Sequence, residues 1–124
     1  MNNTNPLREY QKMQLQTSSP EKLVLILYDE AIKCLHQAKI KIEEKNIEES
    51  NRLLIKTQKI ILELMCSLKL DIGEISKRLH SLYDYMYRRL IQANLEKNSH
   101  IVEEIILLLE PLKDAWIKAM EEVK

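Results

Sequence analysis

The sequence holds one glycine, three prolines and no phenylalanine. Glycine and proline are what tight turns and sheet corners use. Their scarcity argues against a β-rich fold with many short connections and leaves long helices with few loops. One glycine cannot build a Gly-rich phosphate loop. Long hydrophobic runs are also missing. The longest, Leu23–Tyr28 and Ile105–Leu109, fall far short of the roughly 20 residues a membrane span needs. Net charge is absent too, with 19 Lys plus Arg against 19 Asp plus Glu. Phosphate backbones select excess positive charge, so no nucleic-acid partner is expected. Two cysteines, Cys34 and Cys66, are too few for a disulfide framework; both read as reduced packing residues. The polar start MNNTNPLREY has no secretory character, and a cytoplasmic location is the expectation.

What is present is helical periodicity. The pattern predicts an all-α, antiparallel up-down-up-down four-helix bundle over 18–124, preceded by a short N-terminal arm or helix over 1–17. In the arm, Leu7, Tyr10 and Met13 are spaced three apart, so one helical turn aligns them. Helix 1 begins at Ser18 or Ser19: Pro20 suits the first helical position, while Ser18 to Glu21 fits a capping box. Its seam is Val24, Tyr28, Ala31, Leu35, Ala38 and Ile42. Helix 2, about 47 to 69, carries Leu54, Ile61, Leu64, Met65 and Leu68, with Glu48–Arg52 as an expected ion pair. Gly73 falls in the following turn, where a positive φ is often needed. Helix 3, about 74 to 95, turns Ile75, Leu79, Leu82, Met86, Leu90 and Ala93 inward, with Asp84 set to pair with Arg88. Asn98 or Ser99 caps helix 4, whose seam is Ile101, Ile105, Leu108, Leu112, Ala115 and Ala119. Pro111 lies inside it and predicts a kink rather than a break, because the seam keeps its register. Short loops between long helices force antiparallel neighbours.

The sequence offers little for chemistry. A di-iron bundle wants Glu-x-x-His on two helices. The residues three before His36, His80 and His100 are Lys33, Lys77 and Lys97. No HExxH, CxxC or GxSxG occurs. No enzymatic activity, metal or cofactor is expected, and the histidines read as surface or boundary residues.

Two stretches stand out. One is the run 82–90, LYDYMYRRL, which holds three of the five tyrosines; Tyr and Arg are favoured at protein contacts. The other is a surplus of apolar residues. A bundle helix needs about three apolar positions in seven, or about nine in twenty. Residues 23–42 and 101–120 each hold thirteen in twenty, whereas 47–66 and 75–94 each hold ten. The excess falls on helices 1 and 4, which are neighbours in this topology. Helix 4 shows a second stripe, Val102, Ile106, Leu109, Trp116 and Met120. Leu25 and Ile32 stand off the seam of helix 1. A large open apolar patch usually marks a binding site. Three covers are open: an amphipathic helix from a partner, a second copy in a weak homodimer, or the arm.

The chain resembles the FliS family of flagellar secretion chaperones. The resemblance is carried by Thr17-Ser18-Ser19-Pro20-Glu21-Lys22-Leu23, by Leu27-Tyr28-Asp29-Glu30-Ala31-Ile32, and by Gly73-Glu74-Ile75. It continues in Leu82 to Leu90 with Ala93-Asn94, then Glu103-Glu104 and Ala115-Trp116. It departs from the family pattern at Glu30, where a glycine is usual, at Ile72-Gly73, where two glycines are common, and at Pro111. The resemblance implies a cytoplasmic bundle that binds the disordered C-terminal segment of flagellin. It would prevent premature polymerisation and pass the cargo to the flagellar type III export apparatus. It also implies that an apolar residue and a tyrosine three positions on, here Leu7 and Tyr10, cover part of the groove. The cargo surface expected from both lines comprises Leu7, Tyr10, Met13, Leu25, Tyr28, Ile32, Tyr83, Tyr87, Val102, Ile106, Leu109 and Trp116.

Overall fold

The computed structural model describes residues 20–68 and 73–123. Four helices account for nearly all of them: α1 (Pro20–Glu43), α2 (Ile47–Cys66), α3 (Glu74–Glu96) and α4 (Ser99–Val123). Each packs on its neighbours in a ring, α1 on α2, α2 on α3, α3 on α4 and α4 back on α1, with no close backbone approach across either diagonal. The pairs between α1 and α4 run in opposite order along the chain. Trp116 meets Glu21, Lys113 meets Asp29, and Glu103 meets Lys39. The result is the up-down-up-down bundle that short connections dictate.

The ends of the helices follow from local chemistry. Asn46 caps α2 by accepting the Glu49 N–H at 3.1 Å. Asn98 caps α4 by accepting from the backbone of His100 at 2.9 Å and Ile101 at 3.3 Å. Each satisfies donors that have no partner in the first turn. Gly73 sits before α3 at φ 143°, a conformation costly for any residue with a Cβ. The helix-1 cap lies outside the described residues. α4 runs through Pro111. Pro111 is exposed, and Leu107, whose carbonyl it leaves without an i+4 donor, is 59% exposed; water on that side can satisfy the oxygen. Asp84 pairs with Arg88 at 2.8 Å as the spacing predicts. The expected Glu48–Arg52 pair is not formed: Arg52 donates from Nε to Glu49 at 2.9 Å, one turn back at i–3.

The core takes Leu27, Tyr28, Ala31, Cys34, Leu35 and Ala38 from α1 and Leu53, Leu54, Ile60, Ile61 and Leu64 from α2. Tyr83, Met86, Leu90 and Ala93 come from α3, and Ile101, Val102, Ile105, Ile106 and Leu109 from α4. Two buried hydroxyls, Ser50 and Thr57, donate to carbonyls of their own helix, Ile47 at 3.0 Å and Leu53 at 2.9 Å. Their polarity therefore costs little in the interior.

An apolar groove between α3 and α4

The predicted seam of α3 and α4 is buried along only half its length. Met86, Leu90 and Ala93 face Ile101 and Ile105 in the core. Beyond them the same two stripes come out of the interior. Leu79 and Leu82 of α3 and Leu108 and Leu112 of α4 are half-buried, and Ala115 and Ala119 are exposed. Ile75, the first seam residue of α3, is 75% exposed. The α3–α4 pairing is the sparsest of the four. The N-terminal half of α3 and the C-terminal half of α4 thus leave a half-covered apolar strip, packed on the rim of the core at one end of the bundle, which we call the α3–α4 groove.

A polar cluster closes the head of this groove. Glu104 accepts from Arg89 Nε at 3.0 Å and Nη2 at 2.8 Å on one oxygen, and from the Tyr85 hydroxyl on the other. Arg89 Nη1 donates to Gln92 at 2.9 Å, and Gln92 to Glu96 at 2.9 Å. The Tyr85 hydrogen bond, with the Arg89 guanidinium, holds the Glu104 carboxyl below the usual carboxylate range. On the far side of α4, Lys39–Glu103 at 2.6 Å and Lys113–Asp29 bind the helix to α1.

The residues expected to form the cargo surface are distributed unevenly. Leu7, Tyr10 and Met13 lie outside the described residues. Five belong to the core and present no surface: Tyr28, Tyr83, Val102, Ile106 and Leu109 are each at most 3% exposed. The two tyrosines share a hydroxyl–hydroxyl hydrogen bond across the α1–α3 diagonal. Burial, and then the neighbouring phenol, raises the Tyr28 pKa; burial raises that of Tyr83. The second stripe of α4 is therefore its core stripe over the first three turns, and the apolar surplus there fills the interior. Leu25, Ile32, Tyr87 and Trp116 are half-buried. Leu25 and Ile32 share the edge of α1 that carries Asp29 and His36, whose partners are Lys113 and Glu110 of α4. Trp116 donates its indole N–H to the Glu21 carbonyl at 3.2 Å. Tyr87 lies toward α2, on the side where Asn94 donates to Asn51 at 2.7 Å.

The surplus on helices 1 and 4 does not leave those helices the most exposed. Of the large exposed hydrophobics, α1 gives Ile40 and α4 gives Leu107, whereas α2 gives Ile47, Ile55 and Leu62, and α3 gives Ile75, Tyr85, Ile91 and Leu95. Composition counts apolar residues without weighing how wide a sector each helix buries. The groove residues Leu79, Leu82, Leu108 and Leu112 were legible as apolar but not as open.

Nothing in the site suggests covalent chemistry. Burial pushes the Cys34 thiol up to about 11, against the nearby Lys56, so it stays protonated and inert near neutrality. Among the described residues no group of three or more His, Cys, Asp or Glu is placed to hold a metal ion, and no helix is long and apolar enough to cross a membrane. At the opposite end of the bundle a cavity of about 290 Å³ is lined by Ile42, Lys45, Asn46, Ile47, Ser50 and Lys97.

Comparison with known proteins places this geometry in context. A family model described as flagellar protein FliS matches residues 3–123. A flagellar secretion chaperone FliS of Bacillus subtilis is 38% identical over 117 residues, 94% of this chain and 87% of the relative. One of Vibrio cholerae is 34% identical over 115 residues, 89% of this chain and 85% of the relative. A solved structure, a crystal structure of a flagellar chaperone from bacteria, superposes with a TM-score of 0.78 at 21% identity, covering 94% of this chain and 98% of that one; it supports the fold.

Proposed function

The chain belongs to the FliS family of flagellar proteins, and from that premise we propose that it is a cytoplasmic export chaperone for flagellin. It binds the disordered C-terminal segment of flagellin, keeps it from polymerising, and presents it to the flagellar export apparatus. The observation that carries this reading is the α3–α4 groove, with its apolar walls Leu79, Leu82, Leu108 and Leu112 left half-covered. A disordered segment that folds into such a groove as an amphipathic helix gains apolar burial and gives up conformational entropy. That entropic cost keeps the complex reversible, as a cargo released for export requires.

Leu25, Ile32 and Trp116 extend the cargo surface around the edge of α4 onto the α1 side, whereas Tyr87, on the α2 side of α3, stands apart from it. Leu7, Tyr10 and Met13 of the arm cover part of the surface when cargo is absent. Calorimetric titration with a synthetic peptide of the flagellin C-terminal segment tests the reading. Leu112→Asp, which puts a charge at a half-buried position on the groove wall, is expected to abolish binding in a protein that circular dichroism shows to be folded. Leu7→Ala with Tyr10→Ala is expected to change the affinity and leave the melting temperature alone. Wild-type affinity in Leu112→Asp would remove the groove from the account.

A second reading has its own observation. Ile55, Leu62, Ile91 and Leu95 are all exposed on α2 and α3, and a weak homodimer through that face would cover them. Light scattering across a concentration series separates it from the first: a dimer that persists when cargo peptide saturates the protein uses a different face.

A further inference from the structure

The Glu104 cluster sits where the α3–α4 seam changes character. On one side of it the facing residues are core: Met86, Leu90 and Ala93 of α3, Ile101 and Ile105 of α4. On the other side the groove walls begin within a turn, Leu82 three residues before Tyr85 and Leu108 four after Glu104. Resting on the reading that the groove receives the cargo segment, we propose that Glu104 is a positioning residue: locked by Arg89 and Tyr85, it fixes the spacing and register of α3 against α4 and so preforms the groove.

Three observations support this. Both carboxylate oxygens of Glu104 are engaged, one by two N–H groups of a single guanidinium and the other by a phenol. Charge-assisted bonds of this kind impose geometry as well as attraction. The guanidinium is itself oriented by Gln92, which is tied in turn to Glu96, so the Arg89 rotamer is set before any partner arrives. Finally, the α3–α4 pairing is the sparsest of the four, so a side-chain lock between these two helices carries a larger share of their docking where the buried packing gives way to the groove. The opposite edge of α4 stays fixed to α1 through Lys39–Glu103 and Lys113–Asp29. Loss of the Glu104 lock therefore frees the groove edge without releasing the helix. From Leu108 to Ala119 the α4 wall spans about 16 Å at 1.5 Å per residue, which suits an amphipathic helix of about three turns. A wall free to drift presents the binding-competent geometry for a smaller fraction of the time, and apparent affinity falls by that fraction.

The test compares the full chain with Glu104→Gln, Arg89→Gln, the double variant and Lys39→Gln, each titrated with the flagellin C-terminal peptide. Glu104→Gln and Arg89→Gln are each expected to weaken binding roughly three- to fivefold, the range open to a partly exposed pair. The double variant is expected to lose no more than the weaker-binding single, because both substitutions remove one lock. Lys39→Gln breaks the comparable pair on the α1 side and is expected to leave affinity unchanged, so a general loss of helix stability is told apart from loss of groove geometry. Unchanged binding in Glu104→Gln and Arg89→Gln, or an equal loss in Lys39→Gln, overturns the positioning role. Leu112→Asp in the same series separates the two claims. If it abolishes binding while the Glu104 and Arg89 variants bind normally, positioning alone falls; if it binds like wild type, the groove reading falls and takes this inference with it.

Discussion

Tyr28 and Tyr83 show how one pair of polar atoms can be accommodated in an apolar core. Each hydroxyl is the other's partner, so the cost of burying either depends on both. Tyr83→Phe leaves the Tyr28 hydroxyl buried and unpaired, a loss of about 1–3 kcal/mol. Replacing both by Phe removes the two polar groups together and should cost less than the sum of the single changes, measured by urea denaturation. The pair also ties stability to alkaline pH. Both folded-state pKa values lie above the ordinary 10.0. The fold therefore favours the neutral phenols, and their contribution is fully present below pH 10. Above it the unfolded chain ionises first and stability falls. The decline should be shallower in the double Phe variant. Backbone conformation gives a second residue-scale case. Lys45 holds φ 60° in the α1–α2 turn, and Gly73 holds φ 143° before α3. Lys45→Gly should raise the denaturation midpoint by relieving a left-handed conformation that L-residues resist. Gly73→Ala should lower stability by about 1 kcal/mol or more, through the backbone alone, because beyond its chain neighbours nothing lies within 4 Å of the added Cβ.

At the scale of one element, α4 is the helix on which sequence and structure part. Its periodicity gave the helix, its direction and its path through Pro111, because spacing at three and four depends on neighbours along the chain. The same periodicity put Ile105 and Leu112 in one inward seam, and only Ile105 is buried. Whether a seam residue meets another helix depends on how far α3 and α4 diverge, and no spacing within α4 encodes that distance. The two positions should respond differently. Ile105→Ala should cost about 2–5 kcal/mol through transfer and cavity terms, whereas Leu112→Ala, already half in water, should cost clearly less. α4 also depends on acidic residues for its docking. Hydrogen bonds from Lys39 to Glu103 and from Tyr85 to Glu104 lead the effects that lower those carboxyl pKa values. A depressed folded pKa means stabilisation present above the ordinary carboxylate range and lost as pH falls through the folded value. Hydrogen exchange on acidification should therefore show α4, held by carboxylates to both α1 and α3, losing protection before α2, whose cross-helix ion pair is Lys56–Glu30 to α1.

At the scale of the whole molecule, zero net charge and a neighbouring pair of half-open helix walls point to one kind of binding. With 19 charges of each sign, the chain exerts no strong field at long range, and much of the charge on α4 is held in short pairs to α1 and α3. Association with a flagellin segment should then draw on apolar burial in the groove rather than on electrostatic steering. Two measurements follow from this balance. Calorimetric binding should show a negative heat-capacity change, the mark of apolar burial, and an association rate that changes little with salt. The bound peptide should also stabilise the bundle by mass action, by about 2.7 kcal/mol when present at a hundred times its dissociation constant. That gain should appear in the wild-type chain and vanish in Leu112→Asp. If the peptide stabilises both equally, the cargo lies elsewhere, and the exposed stripe of Ile55, Leu62, Ile91 and Leu95 becomes the surface to map.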